Sequence, residues 1–387
     1  MVARPRRRRL RRLLLVPLAL IGLSCLLLIV SVGGALATPG NQNFQAKWAD
    51  WLRGHDAAFL ANALETYYYT HNAPHKGGTP AGLNRLPSSF GPDPAAPRGS
   101  GGHGSTHLPA PSPVPLVVSP ALPGEGVWSP VGPAFGGASA MYEAQFRADD
   151  VYTSQITSAV WIDPSLLRVG LVPGAYEPGG DWAQTPYINP AQLPNAVAAF
   201  NGGFRMQDSQ GGFYLDGRMA VPLRTGAASM VIYGDGRVDV GEWGRDVNMT
   251  PDVTAVLQNV VLLVDNGQLA PAATYTDHRI WGATLGGNTV VARSGIGVTA
   301  DGALIYVAGP ALTARSLAES LQRAGAVRAM TLDINPEWVT FNFFAHPQGI
   351  GSSTVVPSKL YPTMVRPADR YLGPTHESRD FFMVYAP

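Results

Sequence analysis

Four short sequences of one type constrain the fold of this 387-residue chain more than any other feature. Each consists of two apolar segments joined by Asp-Gly or Asn-Gly, and the dipeptides lie at residues 216–217, 235–236, 266–267 and 301–302. Asp-Gly and Asn-Gly tolerate the positive φ angles of tight two-residue turns, which connect antiparallel strands. The sequence therefore predicts four β-hairpins in this part of the chain.

One strong helix pattern interrupts these hairpins. Thr313 can cap its amino terminus, apolar side chains recur on one face, and Gly325 follows its last turn. A strand is predicted directly afterwards, over residues 327–332. Many antiparallel strands with few helices indicate an α+β domain, built on a mostly antiparallel mixed sheet and extending over residues 116–387.

The amino-terminal region predicts a membrane helix. Seven arginines lie within residues 1–12, and the chain from Leu13 to Val32 is almost continuously apolar, long enough to cross a hydrocarbon core of about 30 Å. The arginines favour a cytoplasmic amino terminus, with the remainder of the chain exported. Residues 13–37 are interpreted as a single-pass anchor of the cell membrane, or as a signal sequence that is cleaved after Ala37.

The charge balance argues against a nucleic-acid partner. The chain has 28 Lys+Arg and 27 Asp+Glu, and seven of the basic residues precede residue 13. The other 21 are outnumbered by the 27 acidic residues, which gives a net charge of −6 beyond that segment. A nucleic-acid-binding domain would need a basic face to neutralise phosphates.

Two segments separate the predicted anchor from the α+β domain. Residues 42–70 are predicted as an amphipathic helix, because bulky apolar residues recur there at spacings of three and four. This helix either packs on the globular domain or lies on the outer membrane-water interface beside the anchor. Residues 71–115 are predicted as a mobile Pro/Gly-rich linker, whose His75, His103 and His107 lack the fixed geometry of a metal site.

Three predicted strand ends carry polar residues. An apolar strand runs into Asn201-Gly202-Gly203, where glycines let a ligand approach the backbone, although on the motif alone a bulge or turn is the better explanation. Arg293 stands between two apolar strand halves and needs a partner, either a structural carboxylate or a substrate phosphate. Asp333 ends the strand after the helix and can serve as a general acid or base, a cap, or the partner of Arg293.

In this order and spacing, these segments resemble the phosphodiester glycosidase family. The resemblance covers about two thirds of the chain, from about Gly124 to the carboxyl terminus. It rests on Asn201-Gly202-Gly203-Phe204, on residues 226–232 and 258–269, and on the string from Arg293 to Gly302. The last string is the most specific, because it combines an arginine strand, a glycine break and an Asp-Gly hairpin.

The resemblance implies hydrolysis of a sugar 1-phosphodiester to a free sugar and a phosphomonoester. This reaction needs a cradle for the phosphate and carboxylates near the anomeric carbon, because the transition state gathers positive charge on the sugar ring. Arg293 would hold the phosphate, Asn201 would line the pocket and Asp333 would be the acid/base. Glu337 is the nearest second carboxylate in sequence. The substrate-binding residues implied by these strings are Gly202, Gly203, Phe204, Ser294, Gly295 and Asn335.

The sequence departs from the family pattern after the aspartate. Relatives typically continue with glycines and serines, whereas Asp333 is followed by Ile-Asn-Pro-Glu-Trp. The string from Gly349 to Thr354 looks like the missing run, displaced by an inserted strand. We therefore hypothesise that Ser352 and Ser353 lie within a side chain's reach of Asp333 and bind substrate.

The leading interpretation is a membrane-anchored extracytoplasmic hydrolase of the phosphodiester glycosidase type, acting on a phosphate-linked glycan or envelope polymer. The alternative is a module that kept the fold and a glycan pocket without turnover and serves as a binding or structural component of the envelope. No cofactor is identified. Asp208, Asp216 and Asp333 could supply oxygen ligands to calcium, although no loop has the alternating carboxylate spacing of a strong calcium site.

Overall fold

The computed structural model describes residues 6–38, 40, 42–83, 107–275, 278–281, 289–374 and 377–387. The chain forms two compact units, Met1–Leu64 and Glu65–Pro387. The first unit contains α1 (Arg6–Ala37) and α2 (Phe44–Gly54). The division between the two units falls within α3 (Ala58–His71). The 22 residues Val16–Ala37 of α1 have a mean hydropathy of 2.5, so this helix is long and apolar enough to cross a membrane.

The segment predicted as one amphipathic helix contains two helices. The side chain of Asn43 caps α2 by accepting a hydrogen bond from the amide of Ala46 at 2.9 Å. The helix ends at Gly54, and Asp56 then adopts a φ of 58°, a left-handed conformation that a continuous helix does not allow. Bulky side chains continue to recur at three- and four-residue spacings across this break, so the sequence pattern did not reveal it.

Helix α2 packs on the last turns of α1. The Trp48 indole donates a hydrogen bond to the Ser31 hydroxyl at 3.2 Å. Trp51 lies so close to Gly34 that a Cβ there would be 2.0 Å from its Nε1 atom. Small residues near the end of α1 therefore provide the surface on which the two tryptophans of α2 rest.

The second unit contains three sheets, whose ladders between named strands are all antiparallel in the described residues. The first has the spatial order β1 (Ser129–Phe135), β2 (Ala138–Phe146), β3 (Thr157–Ile162), β14 (Leu304–Leu312), β13 (Val291–Val298), β15 (Arg328–Thr331), β11 (Leu262–Asp265) and β12 (Gln268–Leu269). The second is β7 (Arg218–Val221), β6 (Phe213–Leu215), β10 (Val253–Asn259), β8 (Ala228–Tyr233) and β9 (Val238–Glu242). The third is β17 (Val356–Lys359), β16 (Phe341–Ala345), β5 (Ala196–Asn201), β18 (Phe381–Tyr385) and β4 (Arg168–Val172).

Short helices connect these strands. They are α4 (Met206–Ser209), α5 (His278–Trp281), α6 (Ala314–Arg323) and the 3-10 helices Leu193–Asn195 and Pro271–Thr274. Thr313 caps α6 by accepting from the Ser316 amide at 3.0 Å, and β15 follows it, as the sequence predicts. The predicted α+β class is confirmed.

The four predicted hairpins are present. Asp-Gly or Asn-Gly connects β6 to β7, β8 to β9, β11 to β12 and β13 to β14. One apolar core cluster takes side chains from all three sheets, among them Phe200, Phe213 and Tyr306. A second cluster lies between α6 and the other face of the first sheet and includes Leu317 and Leu321.

The predicted linker is hydrogen-bonded to the domain at both of its described ends. The Gly77 amide donates to the Val151 carbonyl at 2.7 Å, and the Leu108 amide donates to the Asp163 carboxylate at 2.8 Å. Residues 72–83 and 107–115 contain neither helix nor strand. The middle of the linker, with His103, lies outside the described residues.

Candidate functional site

Asn201 is a buried hydrogen-bonding centre at the end of β5. Its Oδ1 accepts from the Tyr306 hydroxyl at 3.0 Å and from the Thr340 amide at 3.1 Å. Its Nδ2 donates to the Gly202 carbonyl at 2.8 Å. The amide side chain therefore joins three segments from two sheets, and its orientation is fixed by these partners.

Ser294 on β13 connects Asn201 to Asp333. Its hydroxyl accepts from Asn201 Nδ2 at 3.1 Å and from the Asp333 amide at 3.2 Å. The backbone reinforces this link, since the Ser294 amide donates to the Asp333 carbonyl at 2.9 Å. Two of the three predicted catalytic residues are thus brought together through a predicted substrate-binding residue.

Both oxygens of the Asp333 carboxylate accept hydrogen bonds from the protein. Its Oδ1 accepts from the amides of Ile334 and Asn335, both at 2.8 Å, and its Oδ2 accepts from Arg379 Nη2 at 2.8 Å. Burial raises the pKa of Asp333, while Arg379 and the two amides lower it. Burial is the largest of these causes, so the pKa of Asp333 is raised overall.

Arg379, which the sequence reasoning missed, holds this carboxylate in place. It lies just before β18, and its Nη2 also donates to the Gly203 carbonyl. Its guanidinium stacks 4.6 Å above the ring centroid of Trp338, in the loop that follows Asp333. A signal was available, because Arg379-Asp380 precedes an apolar strand as a charged pair. Nothing local in the sequence pointed to Asp333 as its partner.

Two further carboxyl groups lie near Arg379. The pKa of Asp380 is raised to about 7, chiefly by burial; Arg379 lowers it, and the negative charges of Glu177 and Asp333 contribute to the increase. Burial also raises the pKa of Glu177, whose carboxylate accepts from the Met206 amide at 2.9 Å. Neither residue was predicted for the site.

Arg293 is fully buried and lies on the other face of β13. Successive residues of a strand point to opposite faces, so Arg293 faces away from Ser294. Its Nε donates to the Leu312 carbonyl at 2.9 Å and its Nη2 to the Thr289 carbonyl at 3.0 Å. The convergence of Arg293 with Asn201 and Asp333 that the resemblance implies is not what the structure shows.

Gly295 and Phe204 contribute to packing. A Cβ on Gly295 would lie 2.9 Å from both Leu321 Cδ1 and the Met330 carbonyl oxygen, so this glycine allows α6 to approach the sheet. Phe204 is buried in the core cluster beneath α6. Gly203 lies against Asn259, with 3.3 Å between an added Cβ and Asn259 Cγ. These contacts explain the residues without a ligand.

The structure separates Ser352 and Ser353 from Asp333. Their loop contacts the beginning of β5, where the Gly351 amide donates to the Pro194 carbonyl at 2.8 Å. Asn201, which leads to Asp333, is at the other end of that strand, about 16 Å away at the usual rise per residue. The hypothesis of a displaced Gly/Ser run is therefore corrected: the β16–β17 hairpin carries this run to the far end of the sheet.

The remaining predicted residues after Asp333 shape the loop. The Asn335 side chain accepts from the Glu337 amide at 3.0 Å and forms a local turn. The Glu337 carboxylate is paired with Arg366 at 3.4 Å. The Trp338 ring stacks on the Arg379 guanidinium. This aromatic contact holds the loop that lacks the family's glycines.

The three calcium candidates have separate partners. Asp208 pairs with Arg205 at 2.8 Å, Asp216 accepts from Gln184 at 3.2 Å, and Asp333 pairs with Arg379. Among the described residues, there is no group of three or more His, Cys, Asp or Glu side chains suited to a metal ion. A cleft of about 320 Å³ lies elsewhere, at the β1–β2 turn, and its lining includes His107, Gly137 and Tyr142.

One protein-family model matches part of the chain. Residues 194–333 match the family model of the phosphodiester glycosidases, which confirms the resemblance over the segment that contains Asn201, Ser294 and Asp333. Arg379 and Asp380 lie beyond the matched segment. No curated protein matches the chain.

Three solved structures are similar to this chain. The zebrafish N-acetylglucosamine-1-phosphodiester alpha-N-acetylglucosaminidase catalytic domain, auto-inhibited by its pro-peptide, is 14% identical with a TM-score of 0.42, over 65% of this chain and 86% of that one. A hypothetical protein from Synechocystis is 13% identical with a TM-score of 0.39, over 67% and 64%. An exported protein from Burkholderia pseudomallei is 12% identical with a TM-score of 0.32, over 60% and 74%.

Proposed function

We propose that this protein is a membrane-anchored extracytoplasmic hydrolase that cleaves a sugar 1-phosphodiester in a glycan or envelope polymer. The observation that carries the proposal is the link from Asn201 through Ser294 to Asp333. It joins two strand ends within the segment that matches the phosphodiester glycosidases.

In this proposal Asp333 is the carboxylate next to the anomeric carbon. Cleavage of the bond between that carbon and the phosphate oxygen leaves positive charge on the sugar ring, which a fixed carboxylate stabilises. Arg379 supplies the nearby positive charge, and its Nη2 is 2.8 Å from Asp333 Oδ2. Asn201 and Ser294 act by orienting the backbone around Asp333, since both side chains are buried.

The test uses the full chain in lipid nanodiscs and a panel of methyl glycosyl-1-phosphodiesters, with N-acetylglucosamine, glucose and mannose in both anomers. Release of free sugar by the wild type and its loss in Asp333→Asn is the expected result. Asp216→Asn is the matched control, because that carboxyl lies in an exposed turn. If no donor yields sugar with folded wild-type protein, the enzymatic proposal is rejected.

A second candidate, a glycan-binding or structural module without turnover, is favoured by one observation. Both oxygens of Asp333 are occupied by protein donors and the residue is buried, so the carboxylate already has the partners of a structural group. Binding of the same phosphodiesters, measured by calorimetry, without sugar release would support this module. Asp333→Asn should then lower stability and leave ligand affinity unchanged per folded molecule.

We also propose that the chain is attached to a membrane, and that α3 contributes to this attachment. One face of this helix exposes large apolar side chains: Phe59 is 68% and Tyr67 65% exposed, and Leu60, Leu64 and Tyr68 lie beside them. Aromatic and aliphatic side chains of this kind favour the membrane-water interface. We infer that this face lies on the outer surface of the membrane that α1 spans.

A nitroxide label measures this attachment in vesicles of phosphatidylethanolamine and phosphatidylglycerol. Cys25 is the chain's only cysteine, so a Cys25→Ser background allows a single label at Leu64→Cys, within the apolar face, or at Thr66→Cys, at its polar edge. We expect oxygen to relax the Leu64 label more strongly than the Thr66 label. Equal access of a water-soluble agent to both labels would contradict the attachment of α3.

A further inference from the structure

The Trp338 ring contacts two guanidinium groups. Trp338 lies in the loop between β15 and β16 and is 5% exposed. Arg379 Cζ is 4.6 Å from the centroid of its ring, and Arg370 Cζ is 4.8 Å from it. The face of an indole ring attracts cations more strongly than the other aromatic side chains do, and the attraction increases when the contact is desolvated. The ring therefore joins Arg379, which binds Asp333, to an arginine from a different segment of the chain.

Arg370 is held in place by a buried carboxylate of its own. Its Nε and Nη2 donate to Glu377 Oε2 at 2.9 and 2.7 Å, and both residues are almost completely buried, at 5% and 0% exposure. Its Nη1 donates to the Glu337 carbonyl at 2.9 Å, directly before Trp338 in the chain. Charge-assisted bonds of this kind restrict the guanidinium to one orientation. Arg370 therefore holds both the ring of Trp338 and the adjoining backbone.

Trp338 is connected to both oxygens of the Asp333 carboxylate. Its amide donates to the Asn335 carbonyl at 2.8 Å, and the Asn335 amide donates to Asp333 Oδ1 at 2.8 Å. Arg379 Nη2 donates to Asp333 Oδ2 at 2.8 Å, while its guanidinium stacks on the ring. The orientation of the carboxylate therefore depends on the loop backbone at one oxygen and on the Trp338 ring, through Arg379, at the other.

We propose that Trp338 is a positioning residue for Asp333: its ring holds the Arg379 guanidinium against the carboxylate, and the Arg370–Glu377 pair holds the ring. A displacement of a reacting group by about 1 Å can lower a rate by about 100-fold, so a loosely held Arg379 impairs an Asp333 that acts at the anomeric carbon. This effect on rate rests on the proposed hydrolase function. The position of Arg379 does not depend on that function.

Chemical modification tests the position of Arg379 without any substrate. Phenylglyoxal reacts with accessible guanidinium groups, and peptide mass spectrometry measures the rate at each arginine of the full chain in nanodiscs. The Arg379 side chain is 11% exposed and should react slowly in the wild type. Trp338→Leu should raise this rate several-fold, because the ring that covers the guanidinium is removed. Trp338→Phe, which keeps a smaller ring, should give an intermediate rate.

Trp182→Leu is the matched control for these variants. It removes a similar contact, since the Trp182 ring centroid is 4.2 Å from Arg218 Cζ, and it should leave the reaction of Arg379 at the wild-type rate. Circular dichroism establishes which variants are folded. A wild-type rate at Arg379 in Trp338→Leu would overturn the proposal; should that variant not fold, the same result in Trp338→Phe would overturn it. An equal increase in Trp182→Leu would also contradict it, because the protection of Arg379 would then come from the whole fold.

The kinetic constants provide a separate measurement with the glycosyl-1-phosphodiester that the wild type cleaves. Trp338→Leu should lower kcat per folded molecule by at least about tenfold and change KM by less than about twofold, because Asp333 acts on the transition state. Trp338→Phe should recover most of the lost kcat. A higher KM with unchanged kcat contradicts the positioning role. If no donor is cleaved, the hydrolase proposal fails, while the phenylglyoxal rates still decide whether Trp338 holds Arg379.

Discussion

Gly202 lies directly against Asp380: a Cβ added to Gly202 would be 1.9 Å from Asp380 Oδ2 and 2.7 Å from its carbonyl oxygen. The glycine that the sequence suggested for ligand approach is therefore needed for the approach of a carboxyl group of the same chain. Residues 202 and 380 meet because β5 and β18 are neighbours in the third sheet, with Asn201 opposite Phe381.

Gly202→Ala should destabilise the second unit. No real Cβ tolerates a contact of 1.9 Å, so β5 or β18 must shift, at a cost of about 1–3 kcal/mol for an overpacked site. Urea unfolding followed by tryptophan fluorescence measures this change. Gly170→Ala on neighbouring β4 is the control, since its Cβ would meet no atom closer than 3.4 Å, and it should change stability by less than about 1 kcal/mol.

Arg379→Ala should be more damaging than the loss of an exposed ion pair. It leaves the buried Asp333 carboxylate without its cation, and breaking a buried pair from one side costs about 3–5 kcal/mol. Arg315→Ala removes an exposed pair with Glu319 on α6, and exposed pairs of this kind contribute little to stability. Similar unfolding midpoints for the two variants would show that Asp333 does not depend on Arg379.

The hairpins and strand ends could be predicted from the sequence, whereas the roles of Arg379 and Asp380 could not. Hairpins follow from turn chemistry within a few residues, and the strand ends at Asn201 and Asp333 follow from apolar runs that stop at a polar residue. Arg379 and Asp380 become part of the site through the pairing of β18 with β5, which joins residues nearly 180 positions apart. No local pattern carries that information.

The two corrected sites failed for different reasons. The Gly/Ser run at Ser352 was assigned to the site from its residue types alone. The hairpin that carries it ends beside Ala196, where His346 Nε2 lies 2.6 Å from the Ala196 carbonyl oxygen. Arg293 was given its phosphate role by the string that resembles the family, and in the structure it faces away from Ser294 because adjacent residues of a strand face opposite sides. Strand periodicity was sufficient to separate that pair.

Asp380→Asn should change the pH dependence of stability. The pKa of Asp380 is raised to about 7 in the folded protein, so between about pH 4 and pH 7 the folded chain retains a proton that the unfolded chain has lost. The free energy of unfolding therefore decreases as the pH rises through this window and stays low above it. Asparagine cannot ionise, so the variant should be more stable than wild type at pH 8, by at most about 4 kcal/mol.

Thermal unfolding of both proteins from pH 4 to pH 8 measures this difference. The two curves should approach one another towards pH 4, where the unfolded chain begins to bind the proton that the folded chain retains. Asp235→Asn, at an exposed carboxylate 3.9 Å from Arg237, should follow the wild type within about 0.5 kcal/mol throughout. Parallel curves for Asp380→Asn and wild type would show that Asp380 is ionised in the folded protein.

Arg293→Lys separates a structural role from a phosphate-binding role. The wild-type guanidinium donates to the carbonyls of Thr289 and Leu312, and a lysine ammonium cannot reproduce this planar arrangement. We expect a loss of about 1–3 kcal/mol in stability, from donors and acceptors left unpaired, with sugar release per folded molecule unchanged. Arg315→Lys at the exposed surface of α6 should alter neither quantity. A fall in turnover at unchanged stability would instead support the phosphate-binding role of Arg293 that the family resemblance implies.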